Sequence, residues 1–260
     1  MINEVNKPHF ISIVMPTLNR SEDLIRCLGS INKLDYPKKY VEIIVWDNGS
    51  TDGTQAEVSR AFKEIEKDED WKGLNLIQSK ENLGVYTSRD ELFNSISPET
   101  EYVLSLDDDV FLPPDCLNTL LGEFHSDSEI GIVGPRTVYD MRLDMTAHGA
   151  GFVNLWIGRY RDIDAGSLME CDYVIGCCML IKKQVVSDLK GFDRDYYTSH
   201  GEVDFCLKAK KKGYKVLYDP RIVVRHNVAM GGTKTLERIY YLYRNKLLVI
   251  RKNASLFQKM

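Results

Sequence analysis

The first half of the chain alternates between two hydrophobic periods, and this constrains the fold more than any other feature. Residues 10–15, 41–46, 74–77 and 102–106 are short apolar runs of strand length. Between them lie segments with helical spacing. One starts at Ser21 and carries Leu24, Ile25, Leu28 and Ile31. The next, 55–67, has Val58, Phe62 and Ile65 on one face, and the third covers 87–96. Pro16 is expected to end the first strand, and 48–54 and 82–84 are turn clusters. Strand and helix in alternation predict an α/β fold with a parallel sheet and right-handed crossovers.

The fourth run stops at Asp107, Asp108 and Asp109, with Pro113 and Pro114 soon after. That puts three carboxylates in a tight turn at a strand's C-terminal end, the edge where open α/β sheets bind ligands. Burying adjacent carboxylates unpaired costs on the order of several kcal/mol per charge, so a cation is expected beside them. Asp107 and Asp109, two apart on extended backbone, can point the same way. Oxygen ligands suit a hard divalent ion such as Mg²⁺ or Mn²⁺, which keeps positions for substrate phosphates. A solvated acidic turn is the plainer alternative. Asp47 also ends a strand. In one parallel sheet it would open onto the same edge, where a carboxylate can accept from a base N–H or a sugar hydroxyl.

A net charge of −4 gives no global basic field, so nucleic acid is not an expected partner. No apolar run approaches the roughly 18 residues of a membrane span, and the first ten residues lack a signal-peptide pattern. The six cysteines have neither zinc-site spacing nor the density of a disulfide framework, so a reduced, cytoplasmic setting is expected.

Beyond residue 110 the pattern loosens. Residues 130–135 read as a strand, and 136–172, rich in Gly, Arg and aromatic residues, as a substrate-covering loop. Residues 173–181 read as a long strand broken by Gly176, where a ligand or backbone approaches closely. A helix is expected over 205–212, stopped by Gly213. Glu202 and Asp204 before it have a structural reading as acids at a helix start. Strands over 214–218 and 222–224 lead to His226, which taken alone reads as structural. Residues 233–252 look helical, with a stripe of Leu236, Ile239, Tyr240, Tyr243, Leu247 and Ile250 beside several Arg and Lys residues. Such a stripe can lie on a membrane surface, but docking on the domain is the expectation.

These pieces, in this order, resemble family 2 glycosyltransferases of the GT-A fold. The resemblance rests on 13–20, 45–54, Glu81-Asn82-Leu83-Gly84 with Arg89, and Leu106 through Asp109. It continues with 176–181, Gly191-Phe192-Asp193, 202–208 and the late His226, so it spans most of the chain. It implies one GT-A domain over 1–260, with a Rossmann-like, mostly parallel central sheet flanked by helices. A nucleotide-sugar half would cover about 8–110 and a mixed acceptor half about 111–235, with an amphipathic helix over 233–260.

By the same resemblance, Pro16, Thr17 and Asn19 would line the nucleotide pocket, and Asp47 would bind the base with Asn48 and Ser50 nearby. Asn82, Gly84, Arg89 and Asp108 would support the donor. Asp107 and Asp109 would form the DxD motif holding Mg²⁺ or Mn²⁺, and His226 would add a ligand. The catalytic base would be Glu202 or Asp204. The family's commoner pattern is Glu-Asp-x-Asp; here Gly201 replaces the first acid and Glu202 stands where Asp is usual, which leaves the base open between the two.

The chemistry implied is inverting, metal-dependent transfer of a hexosyl or deoxyhexosyl group. It would pass from a UDP- or dTDP-sugar to a hydroxyl of a glycan or lipid-linked acceptor. Peripheral contact with the inner face of a membrane and a homodimer are compatible with it. Two rivals stand beside this reading. Sugar-1-phosphate nucleotidyltransferases carry a glycine-rich loop after the first strand, whereas residues 16–20 contain no glycine. A non-catalytic nucleotide-sugar-binding homologue has only Gly201 in its favour.

Overall fold

The computed structural model describes residues 7–67, 70–230 and 235–259. Strands β1 (Ile11–Thr17), β2 (Val41–Asp47), β3 (Gly73–Gln78) and β4 (Tyr102–Leu106) lie in the order β3-β2-β1-β4, all parallel. Helices α1 (Ser21–Asn32), α2 (Thr54–Ile65) and α3 (Val85–Asn94) are the crossovers. Alternate strand residues serve opposite faces. Ile11, Ile13 and Met15 of β1 pack into the core beneath α1 and α2, whereas Val14 joins Val103 of β4 in the core on the other side.

Pro16 does not end β1, which pairs onward with β2 at Pro16↔Trp46 and Thr17↔Asp47. The Thr17 carbonyl accepts from Asn48 N–H on the β2 side. Pro16, one residue back, therefore turns its missing donor toward β4, where pairing has already stopped at Val14↔Ser105.

The second half contains β5 (Val110–Phe111), α4 (Cys116–Ser126), β6 (Ile130–Tyr139), β7 (Arg142–His148), β8 (Ala150–Asn154) and β9 (Arg159–Ile163). After these come β10 (Met169–Glu170), β11 (Cys178–Lys182), α5 (Lys183–Leu189), α6 (Gly201–Lys211), β12 (Lys215–His226) and α7 (Leu236–Asn253). β11 pairs antiparallel with β4 and with β6, and β12 runs parallel to β6. The sheet is thus parallel on one side and mixed on the other, and β12 points the same way as β1, β2 and β4.

Several expectations for this half change. Segment 136–172 is largely strand: β6 continues to Tyr139 and folds back as β7, and β8 pairs with β9 in a separate hairpin. β7 alternates Leu143, Met145 and Ala147 with polar residues, a strand pattern that the loop reading passed over, although most of its length is exposed. The apolar run 173–181 is strand only from Cys178. The Gly176 carbonyl accepts from Arg89 Nη2 at 2.7 Å instead of joining a ladder, so the close approach expected at this glycine comes from a side chain. The two strands expected over 214–224 are one, β12, with a register shift between Asp219 and Val223 that accommodates Pro220.

α7 docks, but not by its apolar stripe. Leu236, Tyr240, Tyr243 and Leu247 are 88, 61, 65 and 70% exposed, while Asn245, Val249 and Asn253 are buried. The seam is polar. Asn253 Nδ2 donates to Asp204 Oδ1 at 2.6 Å, and Asn245 Nδ2 donates to the carbonyls of Thr198 and Ser199 at 2.5 and 2.9 Å. The expected helix start at Thr233 lies outside the described residues. Among the described residues no helix is long and apolar enough to cross a membrane. All six cysteines are buried and unpaired.

Candidate active site

The C-terminal ends of β1, β2, β4 and β12 meet along one edge, where a cavity of about 720 Å³ opens. Pro16 and Thr17 from β1, Asn48 after β2, and Asn82 and Gly84 before α3 contribute to its wall. So do Arg89, the three aspartates, Glu202 and His226. Register brings His226 there. It is the last residue of β12, opposite Val110 of β5, and the next N–H bonds to the Asp109 carbonyl at 2.9 Å. One ligand atom from each of Asp107, Asp109 and His226 lies within 4.8 Å of the others.

The acids are held by cations of the chain itself. Arg89, almost wholly buried, pairs with Asp107 Oδ1. Arg20 Nη1 lies 2.8 Å from Asp109 Oδ2 and 3.3 Å from Asp108 Oδ1, and Thr17 Oγ1 donates to Asp108 Oδ2 at 2.7 Å. Burial raises the Asp108 pKa to about 7 despite Arg20 and Thr17. Asp107 is also raised, by desolvation at the cavity floor, although 31% of its side chain faces the opening. For Asp109 burial acts in the same direction, but His226 and Arg20 outweigh it and lower the pKa. Burial disfavours charge on His226, yet nearby Cys177 and Asp109 raise it to about 11.

Two carboxylates and an imidazole match the donor preferences of Mn²⁺ and accommodate Mg²⁺. Asp109 Oδ1 and His226 Nδ1 are buried without a hydrogen bond. His226 Nε2 stands 3.2 Å from that same Oδ1. A divalent cation would satisfy this acceptor, so the residues fit the metal expected here.

Four expected site residues do not line the cavity. Asp47, fully buried, spends its carboxylate on the following turn: Oδ1 accepts from Ser50 N–H at 3.0 Å and Oδ2 from Gln55 Nε2 at 2.5 Å. Asn19 and Ser50 tie the two loops together, with Asn19 N–H on Ser50 Oγ at 2.9 Å and Thr51 N–H on Asn19 Oδ1 at 2.8 Å. Asp204 is 1% exposed; Asn253 donates to Oδ1, and Lys208 Nζ lies 2.6 Å from Oδ2. Asn48 lines the cavity and also joins elements, since its Oδ1 accepts from Leu83 N–H at 3.2 Å and Ser88 Oγ at 2.7 Å.

Glu202 stands in the first turn of α6, buried by protein yet lining the cavity, and accepts from the Tyr86 hydroxyl. The backbone reaches it through Ser199 and His200, both at positive φ (60° and 66°). Two such residues in succession are costly, and Asn245 of α7 pins the turn through its bonds to Thr198 and Ser199.

Sequence reasoning missed several wall residues. Arg20 lay within a recognised segment, but nothing in the sequence marked its double pairing. His148, Tyr160 and Asp162 come from the exposed hairpins. His148 Nδ1 lies 3.2 Å from Asp162 Oδ2, and Tyr173 donates to Asp162 Oδ1 at 2.8 Å. Lys246 reaches the wall from α7.

The family profile of glycosyl transferase family 2 matches residues 12–190, which include both edge aspartates and the DxD segment. This chain belongs to glycosyl transferase family 2. A relative, glycosyltransferase AglE of Haloferax volcanii, is 33% identical over 229 residues, 84% of this chain and 66% of AglE. Solved GT-A structures share the fold. Mannosyltransferase PcManGT from Pyrobaculum calidifontis, in complex with GDP-Man and Mn²⁺, superposes with a TM-score of 0.66 at 21% identity, covering 86% of this chain and 59% of its own. GalNAc-T7 with UDP, GalNAc and Mn²⁺ gives 0.74 at 14% identity, covering 93% and 48%. The chain thus spans about half to two-thirds of the length of these proteins.

Proposed function

We propose that this family 2 glycosyltransferase is an inverting, metal-dependent enzyme. It moves a hexosyl or deoxyhexosyl group from a UDP- or dTDP-sugar to a hydroxyl of a glycan or lipid-linked acceptor. The observation that carries this is one cavity holding both a cation-ready triad, Asp107, Asp109 and His226, and a separate carboxylate, Glu202. PcManGT and GalNAc-T7 were both solved with Mn²⁺ and a nucleotide or nucleotide sugar, which supports the donor class. Their nucleotides differ, so the preference for UDP or dTDP rests on the sequence resemblance.

In this reading the triad would hold the ion, which neutralises charge on the departing nucleoside diphosphate. Glu202 takes the acceptor hydroxyl's proton as its oxygen bonds to the anomeric carbon. The bond from that carbon to the diphosphate oxygen breaks, and the electron pair leaves with the nucleotide. With base and leaving group on opposite faces, configuration inverts. Asp204, tied to Asn253 and Lys208, is the weaker candidate for base.

The test is release of nucleoside diphosphate from UDP-, dTDP- and GDP-sugars, with and without Mn²⁺ or Mg²⁺. The expected result is metal-dependent release from one nucleotide class, abolished in Asp109→Ala and strongly reduced in Glu202→Gln. If no donor turned over with either metal, the reading would give way to a non-catalytic nucleotide-sugar-binding protein.

A further inference from the structure

The resemblance to family 2 left a glycine at 201, where the commoner pattern carries an acid. Its surroundings account for it. A Cβ built on Gly201 would stand 2.6 Å from Cγ and Cδ1 of Tyr86 and 2.7 Å from Cδ2. These are ring atoms of a 3% exposed side chain with little room to move. Phe192 packs on the ring at 5.4 Å, Tyr196 meets it edge-on at 6.3 Å, and the Arg89 guanidinium lies 5.7 Å from its centroid. Any side chain at 201 would have to displace that ring.

The ring is aimed. Tyr86 is the second residue of α3 and Glu202 the second of α6, so the hydroxyl of one helix start meets the carboxylate of the other. Tyr86 donates to Glu202 Oε2, and among the described residues no other side chain hydrogen-bonds to that carboxylate. A second contact locks the same two segments: Val85 N–H bonds to the Tyr197 carbonyl at 2.7 Å, beside Gly84 at φ 80°. Burial and the Glu202 charge hold the phenol's pKa well above its usual value, so it remains a donor at any working pH.

We infer that Tyr86 is the positioning residue for Glu202, its phenol fixing one carboxylate oxygen so that the other is presented to the cavity, and that Gly201 is what admits its ring. A carboxylate free to rotate would lose alignment with an incoming hydroxyl, and alignment supplies much of the rate. The role rests on Glu202 being the base.

The experiment compares Tyr86→Phe, Glu202→Gln and the double variant, using the nucleotide sugar that wild type hydrolyses and reading kcat and KM separately. Phenylalanine keeps the ring, so a purely structural Tyr86 predicts unchanged kcat. The positioning role predicts a kcat about 10- to 100-fold lower, the range for losing a hydrogen bond to a charged group, with donor KM unchanged. The double variant should be no slower than Glu202→Gln, because the tyrosine acts through that carboxylate. Full kcat in Tyr86→Phe, or a loss that persists undiminished in the Glu202→Gln background, overturns the inference. If Glu202→Gln alone kept full kcat, the base assignment itself would fall, a distinct outcome. A crystal structure of Gly201→Ala needs no substrate: the Tyr86 ring should be displaced from Glu202, and a ring left in place sinks the claim.

Discussion

At the scale of single residues, the site turns on two carboxylates that look alike in sequence. Glu202 and Asp204 both fall in the first turn of α6, yet only Glu202 lines the cavity. Asp204→Asn should cost stability, about 2 kcal/mol for weakening two buried charge-assisted bonds, while nucleoside diphosphate release stays within a few-fold of wild type. Glu202→Gln should melt almost as wild type and lose roughly 10²- to 10⁴-fold in turnover. Thermal melts beside turnover assays separate the two, and a reversed pattern would make Asp204 the base. The alternatives stayed open in the sequence because residues two apart at a helix start share the same dipole rationale. What separates their surroundings is Asn253, about fifty positions away, which donates to Asp204. Asp107 and Asp109 were legible because strand ends in a parallel sheet share an edge, whereas His226, which alone reads as structural, entered only through the family resemblance. Asp47 was legible as an edge acid, but its turn-closing bonds to Ser50 and Gln55 depend on a loop geometry no spacing rule supplies.

At the scale of elements, the attachment of α7 shows how a strong pattern can point at the wrong face. Its apolar stripe is mostly exposed, and the helix is fastened by Val249, Asn245, Asn253 and charges at its C-terminal end. Asp193 accepts from Lys252 Nζ at 2.6 Å and from Lys208 Nζ at 2.9 Å, joining α7 to α6. Burial favours its neutral form, but the two lysines prevail and bring its pKa down to about 2 from 3.8. A depressed carboxylate contributes stability that is fully present above the unfolded pKa and is lost as pH falls through the folded one. Asp193→Asn should therefore cost about 2 kcal/mol at pH 7, roughly half that at pH 3, and little near pH 2. Urea melts at several pH values test this; a cost independent of pH would mean that the ion pairs are not what holds the helix. Patterns of period 2 and 3.6 register apolar faces, and polar seams of this kind have no period.

At the scale of the whole molecule, the order of motifs along the chain was readable, and so was the parallel first half. The far wall of the cavity was not: His148, Tyr160 and Asp162 come from hairpins inside the segment read as a loop, where the alternation of Leu143, Met145 and Ala147 with polar residues went unused, and Lys246 comes from a helix read by its other face. The cavity draws on both halves, with Asn48, Arg89 and Asp107 on one side of residue 110 and Glu202, His226 and Lys246 on the other. A ligand spanning it therefore links two parts of the sheet, and its binding energy adds to stability. Saturation at about a hundred times the dissociation constant is worth about 2.7 kcal/mol. Melting curves with UDP, dTDP, GDP and CMP, each with and without Mn²⁺, should show one nucleotide class whose shift grows when metal is added. Metal and diphosphate share charge, so the combined shift should exceed the sum of the separate ones, and Asp109→Ala should remove the excess while leaving nucleotide binding alone. Simple additivity in wild type would place the ion and the diphosphate at independent sites, and the role given to Asp107, Asp109 and His226 would then have to be abandoned even if the enzyme proved to transfer sugar.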